Sequence, residues 1–256
     1  MSRNLFSCLA TVVVCPLVRL RSSVALCVLF LLGAPHVSIA QTSVTTNRND
    51  LARTGANLSE ATLNTTNVNV TQFGKLFERA VDDEVYAQPL YVSDVNIPGV
   101  GVRNVIYVAT TSNSVYAFDA DNPAATAPLW RVSFINPPQI VPVRRTDVGQ
   151  TCGTYLDFSN NIGIVGTPVI DPVAQTIYFV VRTKESGVFR QRLHALDIRN
   201  GNPRPNSPTL IQATATGTGA GSVGGIITFD SRTQNQRAGL MLLNGVIYIA
   251  WASHCD

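Results

Sequence analysis

"VIYVATTSNSVYAFDAD", residues 105–121, reads as two short strands joined by a turn. The cadence returns in "TIYFVVRTKESGVFRQRLHALDI" (176–198) and starts again in "VIYIAW" (246–251). Each stretch opens on a β-branched residue followed by Ile and Tyr. The first two also close on an apolar residue and then Asp. A pattern written more than once predicts a repeat architecture.

Laying the copies on one another extends the unit in both directions. "AQPLYV" (87–92) matches "GTPVID" (166–171), with Pro89 on Pro168; Tyr107 falls on Tyr178 and Tyr248, and Asp119 on Asp197. The unequal spacings place inserted loops between strands, the longest being "NPPQIVPVRRTDVGQTCGTYLDFSN" (136–160). Apolar runs of three to five residues, broken by Gly, Pro, Asn and Asp, predict strands over 73–81, 87–97, 104–111, 114–121 and 128–134. No window after residue 40 carries a sustained helical period with caps, so the fold class is all-β.

Four short strands per unit of roughly 70–80 residues describe a propeller blade, whose sheet faces need neighbours on both sides. A solenoid would use shorter, more regular repeats; a sandwich with accidental internal similarity is the alternative. Blade-like units are expected over about 73–135, 161–213 and 226–256, or about two and a half blades. A ring takes at least about four, so the chain is expected to be the N-terminal part of a longer protein.

The first 40 residues read differently. Arg19 and Arg21 precede the apolar run "VALCVLFLLGA" (24–34), and Ser38 and Ala40 stand at the small-residue positions before Gln41. This is the layout of a secretory signal, and neither this run nor "LFSCLATVVVCPLV" (5–18) is long enough to span a bilayer. The mature chain is therefore expected to be secreted or periplasmic, in a bacterium, with no stable transmembrane span. The formal net charge of +3 disappears with Arg3, Arg19 and Arg21, leaving sixteen basic against sixteen acidic side chains. A balanced chain offers no electrostatic case for nucleic acid. Of five cysteines only Cys152 and Cys255 remain, free to pair with each other or with partners elsewhere after export. There is no Cys-x-x-Cys and no ligand cluster for zinc or redox chemistry.

Residues 41–72 are polar and rich in Asn and Thr, and are expected as an extended leading segment. They include the triplets Asn57-Leu-Ser, Asn64-Thr-Thr and Asn69-Val-Thr, which are glycan acceptors only in a host that glycosylates them.

The runs "GKLFERAVDDEVYAQPLYV", "NVIYVATTSNSVYAFDAD", "IGIVGTPVIDPVAQTIYFVVRTKE" and "RAGLMLLNGVIYIAWASH" together resemble bacterial exported proteins with pyrroloquinoline-quinone (PQQ)-type propeller repeats, the quinoprotein-like superfamily. The resemblance covers most of residues 48–256. It implies blades in which an Ala-apolar-Asp step is followed by a Gly turn and a Trp. Ala117, Phe118, Asp119 and Trp130 keep that signature, while Ala195, Leu196, Asp197 and Gly201 keep it without the Trp. Such a Trp would wedge between neighbouring blades and the Asp would hold its turn by accepting backbone N–H groups. The superfamily contains both non-enzymatic envelope scaffolds and quinone-dependent dehydrogenases, so fold resemblance outruns functional resemblance. An exported scaffold or binding protein, with an envelope protein or glycan as partner, is the expected function. The alternative is a PQQ-dependent oxidoreductase with Ca²⁺, its site mostly in blades downstream.

Individual residues favour the first. Asp82, Asp83 and Glu84 are candidate carboxylates for the edge of a Ca²⁺ ligand set, but a solvated turn is the preferred reading. His194, between apolar neighbours in "RLHAL", reads as a packed strand residue. His254 adjoins Cys255, and a Cys–His pair can make a thiolate nucleophile, but neighbours on a strand point to opposite faces. Arg144-Arg145 reads as a solvated loop. The glycine run 217–225 lacks the Lys-Ser/Thr of a phosphate loop and reads as an inter-strand connection. No catalytic residue is assigned.

Overall fold

The computed structural model describes residues 42–152 and 156–254, without the side chains of 149–152. The expected signal and its cleavage site, the Cys152 side chain and Cys255 lie outside the described residues.

The quoted stretch is a hairpin in the middle of a four-stranded antiparallel meander. Its strands are β1 (Leu90–Ile97), β2 (Gly101–Ala109), β3 (Ser114–Asp119) and β4 (Trp130–Ser133), in that spatial order. β1 carries a bulge where Ser93 and Asp94 together oppose Asn104; the Asn104 carboxamide oxygen accepts the Asp94 N–H at 3.1 Å. A second sheet follows, formed by β5 (Ile140–Pro142), β6 (Val169–Asp171), β7 (Thr176–Glu185), β8 (Val188–Asp197) and β9 (Thr209–Leu210). β6 pairs with the first three residues of β7 and β5 with its last three, while β8 pairs along the whole of the opposite edge. β5 and β6 thus occupy one strand position between them.

The fold is all-β, an arrangement of small antiparallel sheets, and three differences from expectation have physical causes. Residues 73–81 form no strand, and Phe73 and Leu76 stay exposed, so the segment buries too little to be held in a sheet. The first sheet instead begins at Leu90 and recruits β4. The 136–160 insertion contains a helix, α1 (Arg145–Cys152), which has no amphipathic period. It is held by its start and by its neighbours. Asp147 Oδ2 reaches back to accept the Arg144 N–H at 2.9 Å, half of a capping box, and Val148 packs with Val143, Phe158, Ile162 and Val165 in a satellite core. Last, the third expected unit is not one four-stranded sheet. The strands β10 (Thr214–Thr216), β11 (Ile226–Thr228), β12 (Gln234–Asn235), β13 (Met241–Leu243), β14 (Val246–Tyr248) and β15 (Ala252–Ser253) form three separate ladders, β10–β11, β12–β15 and β13–β14. Strands of two or three residues leave Ile226, Val246 and Tyr248 exposed, and bury too little to hold a wider sheet together.

The repeat positions do coincide in register. Leu90 pairs with Tyr107, Val169 with Tyr178, and Met241 with Tyr248; Tyr107 and Tyr178 then pair with Ala117 and Ala195 on the next strand. The sheets stack through these positions. On β7, Ile177, Phe179 and Val181 join the core shared with the first sheet, while Tyr178 and Val180 pack with Leu240, Leu242 and Ile247. Burial on both faces explains why β7 is apolar almost throughout its first half instead of alternating. Trp130 Nε1 and Tyr107 Oη both donate to the Ile198 carbonyl, at 2.9 and 3.0 Å, across the seam between the first two sheets. Asp119 and Asp197 hold their turns, Asp119 Oδ1 accepting the N–H groups of Asp121 and Asn122, and Asp197 Oδ1 that of Arg199.

The leading segment does more than lead in. Val44 bridges to Tyr91 beside β1, the Thr45 carbonyl accepts the Ile170 N–H of β6 at 2.8 Å, and Arg53 Nη2 donates to the Leu240 carbonyl just before β13 at 2.9 Å. Residues 44–53 therefore strap the opening strand of each unit to the next. Beyond the strap, 57–72 is a chain of turns and not extended: Asn57, Asn64 and Asn69 each accept the N–H two residues on. No helix among the described residues is long and apolar enough to cross a membrane.

Two glycines let the units approach. A Cβ on Gly163 would lie 2.3 Å from the Thr111 carbonyl oxygen and 2.6 Å from Asn113 Oδ1, and one on Gly166 would lie 2.1 Å from Gln236 Oε1. The Asn113 and Gln236 oxygens are buried with no conventional donor, and the glycine Cα–H groups are what faces them. Gly166→Ala is expected to lower unfolding free energy by about 1–3 kcal/mol through overpacking, whereas Gly74→Ala, with nothing within 4 Å, stays within about 0.5 kcal/mol. Urea denaturation of the two variants checks this.

Candidate functional site

The β2–β3 turn gathers the acidic triplet. Asp82 accepts from Thr110 Oγ1 (2.7 Å), Ser114 Oγ (2.6 Å) and Arg131 Nη2 (2.8 Å). Asp83 accepts from Ser112 Oγ (2.7 Å), Asn161 Nδ2 (2.8 Å) and the Glu84 N–H (2.9 Å). Burial pushes the Asp83 carboxyl up, but the donors from Ser112, Asn161 and Glu84 together outweigh it and hold the group below the usual carboxylate range. Glu84 accepts the Thr111 N–H on its backbone carbonyl, and its Oε2 is buried without a hydrogen-bond partner among the described residues. The triplet pins the turn and ties it to Asn161 of the following unit.

That arrangement does not fit a Ca²⁺ site of the kind the resemblance implies. Calcium takes six to eight oxygens with lone pairs to spare, and both Asp82 and Asp83 already receive three protein donors. Among the described residues no group of three His, Cys, Asp or Glu is placed to hold a metal.

The other singled-out residues scatter. His254 is buried, and its Nε2 accepts from Arg182 Nη1 at 2.6 Å; Arg182 also donates to the Arg232 carbonyl, so the group locks the start and end of the last described unit onto β7. Arg144 is exposed, as a solvated loop predicts, and lines an open cleft of about 340 Å³ with Lys184 and Asp147; Lys184 Nζ lies 2.7 Å from Asp147 Oδ1. Arg145 lies partly buried, its N–H donating to the Asn160 carbonyl at 2.8 Å. The glycine run 217–225 connects β10 to β11, with the Gly217 N–H donating to the Gly225 carbonyl at 2.9 Å.

His194 is a packed strand residue, and something more. Phe179 stacks parallel to its ring at 5.7 Å and Phe134 meets it edge-on at 4.4 Å. The ring forms one end of a pocket of about 210 Å³ in the seam between the two larger sheets, with Val181, Thr183, Glu185 and Arg192 along β7 and β8. Arg192 and Glu185 form a two-pronged ion pair, one arm at 2.9 Å, and Thr183 Oγ1 donates to Glu185 Oε1 at 2.7 Å. The Arg192 donors hold the Glu185 carboxyl low against the opposing effect of burial. His194 is only 8 % exposed, and neither ring nitrogen has a hydrogen-bond partner among the described residues. Sequence reasoning found His194 but not its companions. The signal available was the change from apolar to polar at Thr183-Lys-Glu185, facing Arg192 across the hairpin.

Two outcomes follow. Burial, with the Arg192 charge adding to it, pushes the His194 imidazole down to about 4. The unfolded chain, with an imidazole near 6.5, then takes up the proton first, so stability is complete above pH ~6.5 and declines towards pH 4, by about 3 kcal/mol at most. The carboxylates of Asp83, Glu185 and Asp197, all held low, lose their contribution below that window. Thermal melts from pH 7 to 4 should show the decline, and His194→Leu should flatten it. At the acidic turn, Asp82→Ala should cost about 1–3 kcal/mol through the abandoned donors, while calcium or a chelator leaves the wild-type melting temperature unchanged.

Comparison of the chain with protein-family models, with curated proteins and with solved structures finds no match.

Proposed function

We propose that this chain carries part of an exported β-propeller of the quinoprotein-like kind, and that it serves as a binding scaffold for an envelope glycan or protein. The propeller reading is supported by the shared register of Leu90–Tyr107, Val169–Tyr178 and Met241–Tyr248. It is also supported by the strap across the opening strands, since radially stacked sheets bring those strands to a common axis. On this reading the Tyr248 face, 49 % exposed where its counterparts Tyr107 and Tyr178 are covered, is the side that a further sheet packs against.

The observation that carries binding over catalysis is the use made of the acidic turn. Asp82 and Asp83, the carboxylates this chain offers as an edge of a metal site, are engaged in holding the β2–β3 turn, whereas the pocket in the inter-sheet seam presents polar groups to solvent. Secretion or a periplasmic location follows from the basic-apolar-small layout of residues 1–40.

Titrating the purified exported protein with soluble cell-envelope glycan fragments, and in parallel with PQQ plus calcium, tests the reading. Saturable heat with a glycan fragment and none with the quinone is expected. Quinone binding with alcohol-dependent dye reduction would overturn it in favour of the oxidoreductase.

A further inference from the structure

We infer that the His194 pocket is a subsite for one neutral sugar ring, His194, Glu185 and Arg192 reading its hydroxyls; this rests on the binding-scaffold reading and names its site. The pocket is built from two kinds of wall. Val181 and the ring of Phe134 give an apolar side, and the Arg192–Glu185 pair with Thr183 gives a polar one. A pyranose matches that division, with C–H groups on one face and hydroxyls around the rim.

Charge narrows the occupant further. Arg192 and Glu185 cancel within the pocket, so an anion entering it meets the carboxylate and a cation meets the guanidinium, while a neutral ligand meets neither as an unbalanced charge. His194 supplies what a hydroxyl needs. A neutral imidazole offers one donor and one acceptor, the complement of an O–H that gives and receives, and both nitrogens lack protein partners among the described residues. A histidine held between Phe134 and Phe179 has little freedom to swing away, so its hydrogen-bonding directions are set in advance. Glu185 is oriented in the same way by Arg192 and Thr183, which together fill Oε1 and leave one lone pair on Oε2 for a single ligand hydroxyl.

Size limits the ligand to one ring. A volume of about 210 Å³ equals that of roughly seven waters, below the roughly 300 Å³ where pockets for drug-sized ligands begin. A longer glycan would place one residue in the seam and run out over the rim at Phe134.

The experiment is an NMR titration of the whole chain, with the His194 ring nuclei as reporter and glucose, galactose, mannose and N-acetylglucosamine as probes. One of these should shift the His194 resonances saturably with one-to-one stoichiometry. Glu185→Gln and His194→Leu should each weaken binding about tenfold, the loss of one charge-assisted or ring hydrogen bond. Melting temperatures at pH 7 confirm that the variants fold, and His194→Gln, which keeps a donor and an acceptor, should recover part of the affinity if the first variant folds poorly. If an envelope glycan binds the protein but no probe moves His194, or if both variants bind as wild type, the subsite is overturned and the scaffold reading stands. If neither glycan fragments nor these sugars bind at all, both readings fall.

Discussion

The carbonyl of Ile198 takes two buried donors from the neighbouring sheet, and the relation of the two larger sheets depends on it. A carbonyl oxygen has two lone pairs, and here Tyr107 and Trp130 fill both. Two side chains, from β2 and β4 on either side of β3, converging on one atom set the position and the angle of the second sheet together. The turn that offers this carbonyl is prepared for it. Asp197 bonds the Arg199 N–H, with the Arg199 guanidinium folded back on the carboxylate, and Gly201 sits at φ +74° where a Cβ would lie 2.9 Å from the Trp130 ring. Burial pushes the Tyr107 hydroxyl far above its ordinary range, so it stays a donor at every pH the fold survives.

Around this contact the remaining architecture answers one constraint, that a four-stranded sheet has two faces and cannot bury either alone. The first sheet gives one face to β7 and β8, and those strands give their other face to the ladder beginning at Met241. Gln191 shows how the second seam handles polarity. It is fully buried, donates to the carbonyls of Ser231 and Gln234, and accepts from Trp251 Nε1 at 2.8 Å. All but one of its hydrogen-bonding positions are used, which is the condition for burying an amide at little cost. The strap from Val44 to Arg53 links the opening strands, and its hydrogen bonds join residues up to 187 positions apart.

The pocket at His194 arises from a mismatch in strand length. β7 and β8 have ten residues each, whereas β4, which faces them, has four. The hairpin therefore outruns the sheet that covers it. After Phe134 the residues of the same face change from Phe179 and Val181 to Thr183 and Glu185, and the seam changes from apolar core to a pocket with polar lining. His194 stands at the boundary, which is why it is buried and still lacks an internal partner.

Much of the fold was legible in the residues. Apolar runs of three to five residues broken by Gly, Pro, Asn and Asp give all-β texture, and the recurring Tyr and Ala-x-Asp positions mark a register that the strand pairing reproduces. The Asp turns and the Trp130 contact across the seam were expectations that the family resemblance implied, and the Asp119 and Asp197 turns and the Trp130–Ile198 hydrogen bond agree with them. Residues 73–81 have the composition of a strand, yet they pair with no strand, and no run of residues states which segments will find a partner. Helix α1 has no helical period because its support comes from its cap, from flanking residues of the satellite core such as Val143 and Phe158, and from Lys184 and Arg232, distant in sequence. The site divides in the same way. The apolar neighbours of His194 marked it as a packed strand residue, whereas the acids at 82–84, expected on a solvated turn, lie at a bend and bond to the β2–β3 turn. Only the tertiary structure decided that three donors would converge on each of Asp82 and Asp83, and that His194 would be left open beside Glu185 and Arg192, because hydrogen-bond supply at a buried atom depends on which strands stop short in space.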